Sequence, residues 1–286
     1  MEIISRLNQT KRHHCDIEVY PYLRDHHLEG KVILPAVEAL IVLSGAVKIN
    51  YPQINISCLQ KARFSRFLSI SPDTKRQPIL VEIENSGDGG IVASLLTSVK
   101  SKTGTIGRKV EHASVEFPAA DFAAYLPPSF RMVKKLKGSC ISVPSAAIYR
   151  ELVPFGEAYH NIIGDLSVSP EGAQAYVSGG DHEADESLLG SPFPLDSVLH
   201  AACVWGQRFA GIVSFPVEFG KRVIYQKTKK RKDYLGRVVP VSVSKESLIF
   251  DAWIYNLDDV MCESISGIHM RDVSQGRLRP PQWIRA

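Results

Sequence analysis

The chain has 286 residues, 44% of them hydrophobic and 22% charged, with a formal net charge of +4. That length buries a sizeable core, as one large domain or two of ordinary size, and so mild a charge by itself calls for no polyanionic partner. No run reaches the roughly 18 apolar residues of a membrane-spanning helix, the opening Met1-Glu2-Ile3-Ile4-Ser5-Arg6 lacks the apolar core of a signal peptide, and the five cysteines (15, 58, 140, 203, 262) are scattered without a Cys-x-x-Cys pair, which argues against a zinc ribbon or disulfide framework and for reduced thiols in the cytoplasm.

In chain order, the alternation of Cys15-Asp16-Ile17-Glu18-Val19-Tyr20 predicts a strand. A charged turn containing His26 and His27 follows, and Pro35 then suits the first position of a helix. Residues 36 to 49 are so largely apolar that the helix is expected to be buried on nearly all sides. Strands are predicted at Ile54–Phe67, Ile79–Asn85, Gly90–Ser101 and Val110–Phe117, separated by turn clusters such as Ser71-Pro72-Asp73. Gly87-Asp88-Gly89-Gly90 is a hairpin signal and not a phosphate loop, because no Gly-Lys-Ser/Thr follows. Residues 118 to 145 read as a join, with a short helix over Ala119–Tyr125.

The order of elements then recurs. Ser145–Val153 reads as a short helix, and Asn161–Ser169 with Gly172–Ser178 as a hairpin. After the polar loop 179 to 186 and Pro192-Phe193-Pro194, a second apolar helix runs from Leu195 to Gly206. Strands are predicted at Ser214–Tyr225, Tyr234–Val243, Leu248–Tyr255 and Met261–Met270, and the Arg- and Pro-rich tail from Gln275 is expected to be loosely held. A buried helix followed by antiparallel strands, twice, predicts an α+β protein of two units, residues 1–130 and 131–286, fused into one pseudo-dimeric domain.

Three motifs carry chemistry. The first is His26-x-x-x-Gly30-x-x-x-x-Pro35, which puts a histidine just before a helix N-terminus with its unpaired N–H groups and positive dipole end. The second is Pro194-Leu195-Asp196, with His200 four residues after Asp196 and so on the same helix face. The third is Pro154-Phe155-Gly156-Glu157-Ala158-Tyr159. Singly, His26 fits an exposed turn residue and Asp196 a helix cap. Together, in this order, the motifs resemble those of the dehydratase domains of polyketide synthases and animal-type fatty acid synthases, over about residues 10 to 273. The sequence departs from the family pattern at Ala36, usually glycine, at Phe155, usually tyrosine, and at Glu157, usually proline. Phe155 offers no hydroxyl, so Glu157 or Tyr159 would have to compensate.

The resemblance implies a double hotdog: two fused units, each an antiparallel sheet wrapped round a buried helix. It implies removal of water from a 3-hydroxyacyl thioester, held on the phosphopantetheine arm of an acyl carrier protein, with no soluble cofactor and with a homodimer as one expected assembly. His26 would be the base at C2. Asp196 would protonate the leaving hydroxyl, which calls for a carboxyl pKa raised by an apolar pocket. His200 would orient Asp196 or bind the hydroxyl. Gly30, Pro35, Val37, Phe155, Gly156 and Tyr159 would contact substrate, with N–H groups at Gly30 or Val37 polarising the thioester oxygen. The site would be a tunnel between the units.

Lys229, Lys230 and Arg231 form the strongest basic cluster, either a solvated hairpin or a docking patch for an acidic carrier. Few aromatics interleave with it, which argues against nucleic acid. His160, His182 and His269 read as structural or surface residues, and no His/Cys/Asp/Glu group has metal-ligand spacing. Alkene isomerisation, enoyl hydration, product-template cyclisation, thioester hydrolysis and non-catalytic acyl binding on the same fold stay open. A freestanding enzyme and an excised domain both fit the sequence.

Overall fold

The computed structural model describes residues 10–99, 107–119, 128–181, 187–244 and 247–285. His182 and all but the first residue of the helix expected over Ala119–Tyr125 lie outside these ranges. The N-terminal half contributes β1 (Lys11–Glu18), a small hairpin of β2 (His27–Leu28) and β3 (Lys31–Val32), the first central helix (Ala36–Asn50), and then β4 (Cys58–Arg63), β5 (Arg76–Asn85), β6 (Ile91–Val99) and β7 (Arg108–Phe117). The C-terminal half contributes β8 (Ile141–Pro144), β9 (Ile162–Ser169), β10 (Gly172–Ser178), the second central helix (Phe193–Phe209), and β11 (Phe215–Ile224), β12 (Asp233–Val243), β13 (Ser247–Asn256) and β14 (Met261–Arg271). Between β8 and β9 the backbone makes a short α-turn and a π-helical turn at Ile148–Leu152, where one unbroken helix was expected.

All strands but the β2–β3 hairpin join one antiparallel sheet in the order β1-β5-β6-β7-β4-β11-β14-β13-β12-β10-β9-β8. The seam between halves is the β4–β11 pair, with Ala62 opposite Phe219 and Leu59 opposite Arg222. The first helix packs on β5, β6 and β7, and the second on β9, β10, β12 and β13. Strand alternation makes this possible: on β13, Leu248, Phe250, Ala252 and Ile254 are fully buried, while Ile249, Asp251 and Trp253 point outward between them. Gly206 lets the second helix close on that face, since a Cβ there would come within 2.7 Å of Leu248 Cδ1.

The helices differ from each other. Phe193 to Gln207 are buried without a break, whereas the first helix buries one face and leaves Ile49 82% exposed. The apolar run 36 to 49 therefore overstated its burial: the sheet covers one side of it only. Pro35 is the N-cap of that helix, in extended conformation, and Ala36 is its first helical residue. The tail is also better held than its composition suggests. Ile284 is fully buried, its carbonyl accepts from Arg208 Nη1 at 3.1 Å, and Trp283 Nε1 donates to Glu151 Oε2 at 2.6 Å.

Beside the seam, Arg222 Nε donates to Glu263 Oε2 at 2.8 Å with both side chains buried, and Glu263 Oε1 has no partner among the described residues. Removing one member strands a charge in a low-dielectric interior. Glu263→Ala is expected to lower unfolding stability by about 3–5 kcal/mol in urea denaturation, and the double change Arg222→Met with Glu263→Leu to recover most of that loss.

Candidate active site

The chain reaches His26 through a 3-10 turn at Pro21–Asp25, whose Arg24 guanidinium donates to the carbonyls of Pro72 and Thr74. The β2–β3 hairpin then reverses direction at Glu29-Gly30, both with positive φ (48° and 75°), the pattern of a type I′ turn. The reversal returns Ile33 to the histidine. Ile33 N–H donates to the His26 carbonyl at 2.9 Å, and His26 Nδ1–H donates to the Ile33 carbonyl at 2.9 Å. With Nδ1 occupied as a donor, Nε2 holds the lone pair of the neutral ring. Burial pushes the His26 pKa down to about 4, against the opposing pull of the Asp196 charge, so the ring is neutral near pH 7.

Asp196 and His200 come from the start of the second helix, both buried, with His200 Nε2 2.9 Å from Asp196 Oδ2. The contact has ion-pair distance but not the alignment of a full hydrogen bond, and His200 Nδ1 has no partner among the described residues. Burial pushes the Asp196 carboxyl up, but the adjacent His200 and His26 outweigh it and hold the group below the usual carboxylate range. This corrects the expectation of a raised Asp196 pKa. The pocket is apolar, yet two imidazoles within it favour the anion.

The segment 153 to 160 ties the halves together. Gly156 N–H donates to the Asp25 carbonyl at 2.8 Å, and Ala158 N–H to Asp25 Oδ2 at 2.9 Å. A Cβ on Gly156 would lie 2.4 Å from Asp25 Cγ, so only glycine admits this approach. Phe155 packs its ring 4.3 Å from His26 and 5.2 Å from His200. Tyr159 lies 5.1 Å from the His26 ring, with its hydroxyl buried and unpartnered among the described residues. Glu157 is exposed and so cannot stand in for a hydroxyl at Phe155.

An apolar cavity joins these groups. His26, Asp196, His200 and Phe155 line one part, Ala36, Ala39, Leu199 and Cys203 the helix side, and Leu68, Leu95, Phe215 and Met270 the sheet side. Exposed Arg66 and Phe67, the latter 43% exposed, bring the lining to the surface. Gly30, Pro35, Val37, Gly156 and Tyr159 are not on its wall. They act from outside it. Gly30 makes the exposed turn, Pro35 caps the helix, Val37 is core, Gly156 receives Asp25, and Tyr159 supports His26 from behind. The loop with Lys229, Lys230 and Arg231 is also off the wall. Backbone bonds from Gly179 to Lys232 and from Ser191 to Thr228 stitch it to a neighbouring segment, and Arg231 pairs with Asp181 at 2.7 Å.

Sequence reasoning missed two acidic residues. Asp25 adjoins the histidine, but its partner is 133 residues away and leaves no local signal. Glu38 is buried near Asp196, and a lone acid in an apolar run was its signal. His269, read as unpartnered, touches Ser247 and Glu218 on neighbouring strands. Among the described residues no group of three or more His, Cys, Asp or Glu could hold a metal ion, and no helix is long and apolar enough to cross a membrane.

The family model described as polyketide synthase dehydratase N-terminal domain matches residues 142–280. Over that span, just under half of the chain, the sequence is similar to the polyketide synthase dehydratase family. Its Pro154–Tyr159 and Asp196–His200 segments lie inside the match. The whole chain is similar in structure to the dehydratase domain from the CurJ module of curacin polyketide synthase, at TM-score 0.73 and 14% identity over 93% of this chain and 95% of that one. It is also similar to a trans-AT polyketide synthase dehydratase domain from Brevibacillus brevis (TM-score 0.69, 16% identity, 92% and 94% covered). A third likeness is to the dehydratase domain of PpsC from Mycobacterium tuberculosis, solved in complex with C12:1-CoA (TM-score 0.66, 16% identity, 92% and 94% covered). No curated protein matches the chain significantly. The fold is the double hotdog of these dehydratase domains, as the repeated helix-and-strand order implied.

Two outcomes follow for this site. Gly156→Ala displaces Asp25 and with it the histidine turn, so turnover should fall, with about 1–3 kcal/mol of stability lost in thermal melting. His26 binds a proton less readily folded than unfolded. Its contribution to stability is therefore complete above the ordinary histidine pKa of about 6.5 and is lost as pH falls from there toward about 4. Melting temperature measured across that window should decline more steeply for the native chain than for His26→Phe.

Proposed function

We propose that the protein eliminates water from 3-hydroxyacyl thioesters to give 2-enoyl thioesters, with the acyl group delivered on the phosphopantetheine arm of an acyl carrier protein. The observation that carries this reading is that His26 from one half and Asp196 from the other line the same apolar cavity. The acyl-CoA bound to the PpsC domain, a thioester in an equivalent fold, supports it.

In this reading His26 Nε2 removes the C2 proton. The backbone N–H of Ala36, the first helical residue and part of the cavity wall, faces the growing charge on the thioester oxygen. Asp196 accepts the hydrogen bond of the 3-hydroxyl and steers it, held in place by His200. One proton must then reach the departing oxygen through Asp196. The apolar wall from Leu68 to Met270 receives the acyl chain, and its burial supplies about 25 cal/mol per Å² of apolar surface covered. The basic loop at Lys229, Lys230 and Arg231, with Lys229 and Arg231 exposed, is the proposed carrier contact on grounds of charge. Phe155 keeps the space between the two imidazoles apolar.

Carrier-bound 3-hydroxybutyryl and longer substrates, read by mass spectrometry, test the proposal. The native protein should release one water per acyl group, and His26→Ala and Asp196→Asn should each reduce the rate by about 10²–10⁴-fold. Release of the free acid, or full activity in either variant, would overturn the assignment.

A further inference from the structure

The apolar cavity runs along the second central helix. Asp196, Leu199, His200 and Cys203, spaced three and four apart, form one stripe of its wall. Seven residues separate the first from the last, which is about 10 Å of helix. The other side gives a second length. Ile33, whose carbonyl accepts from His26 Nδ1, bridges to Ser69, and Leu34 N–H donates to the Leu68 carbonyl at 2.9 Å. From Ser69 the chain passes back through Leu68 and Phe67 to Arg66, at most about 10 Å for three residues. Both sides end in one place. The Ser214 backbone lies against the Cys203 sulfur, and the ring of the next residue, Phe215, sits 6.2 Å from that of Phe67, edge to face. There the wall meets solvent, with Phe67 43% exposed and Arg66 exposed beside it.

Between the dyad and that rim the wall has little to offer a polar ligand. His112 Nε2 accepts from Thr97 Oγ1 at 2.8 Å and its Nδ1 donates to the Arg66 carbonyl at 3.3 Å, so both ring nitrogens are taken. The Cys203 sulfur accepts from Gln207 Nε2 at 3.5 Å. Ser214 Oγ, buried and without a partner among the described residues, is left. One hydroxyl does not satisfy the two amides of a pantetheine arm, whereas an alkyl chain asks for no partner. We propose that this slot measures the acyl chain: the alkyl group runs from the dyad past Cys203 to the Phe67–Phe215 pair, and the protein favours 3-hydroxyacyl groups of about ten to twelve carbons. The inference rests on the dehydratase reading above. With C3 held at Asp196, an extended chain advances about 1.2 Å per bond and covers the 10 Å stripe in about eight bonds. Each methylene buried on the way strengthens binding about fourfold, or about 0.8 kcal/mol. Carbons past Phe67 emerge beside the Arg66 guanidinium and gain nothing. Cys203 and Ala39, small residues lining the slot from the two central helices, set its width and so its selectivity.

The test is kcat and KM for alkene formation from carrier-bound straight-chain 3-hydroxyacyl substrates of about four to sixteen carbons, in the native protein, Cys203→Phe and Ala39→Leu, each with a thermal melt. The native kcat/KM should climb by up to about fourfold per added carbon, mostly through KM, and level off at about ten to twelve carbons. Cys203→Phe should lower the ratio of kcat/KM at ten carbons to that at four by about tenfold or more, and Ala39→Leu should bring the plateau to a shorter chain. A merely structural defect would depress every length alike. Native turnover that ignores chain length, or that still climbs at sixteen carbons, overturns the inference and leaves the dehydratase reading standing. So do variants that lose four-carbon and ten-carbon turnover in equal proportion, the result expected if the slot held the carrier arm. A native protein that forms no alkene at any length overturns both. Should Cys203→Phe fail to fold, the native series and Ala39→Leu decide by the same criteria.

Discussion

The site depends on Asp25. Its backbone carbonyl and its carboxylate accept hydrogen bonds from Gly156 and Ala158, so the residue before the histidine is fastened to the other half of the chain. The sheet seam joins the halves through β4 and β11, but a seam of extended strands fixes a side chain in the cavity only through what leans on it. Charge-assisted bonds of this kind are stronger than neutral ones. Together with the Ile33 clamp they leave the His26 ring one orientation. The missing Cβ at Gly156 is the steric condition for the whole contact.

Around that anchor the chain gathers His26, Glu38, Tyr159, Asp196 and His200, all nearly sealed from water. Such a cluster is expensive. Tyr159, Ser197 and His200 atoms without a partner among the described residues each forgo the solvation they would have in an unfolded chain. The second helix offsets this with its unbroken burial from Phe193 to Gln207 and with two buried anchors, Trp205 Nε1 to the Ser169 carbonyl and Gln207 Nε2 to the Leu152 carbonyl, both at 2.9 Å. The same low dielectric that makes the cluster costly separates its protonation states: the imidazole of His26 is driven neutral, Asp196 toward its anion, and Glu38 toward its acid.

Much of this was readable from local patterns. Most strands of the large sheet were found to within a few residues, because alternating apolar positions such as Leu248, Phe250, Ala252 and Ile254 reflect a sheet with one dry face. The short strand β8 escaped, since Ile141–Pro144 is four residues with only Val143 fully inward. The first helix was overestimated because hydrophobic content does not say how many sides a sheet will cover. The tail was underestimated because Ile284 and Trp283 find their partners, Arg208 and Glu151, across the fold.

The amino-acid sequence by itself determined the element order, the two apolar helices, and the candidacy of His26 and Asp196, since each of these is set by spacing and residue type within one short stretch. Only the tertiary structure decided which candidates share a cavity, that Gly30, Pro35, Val37, Gly156 and Tyr159 serve behind its wall, and that Asp196 rather than Glu38 is held as the anion. Those outcomes turn on which charges and dipoles end a few ångströms apart after folding, and in a medium of low dielectric that distance outweighs anything a residue's identity can predict.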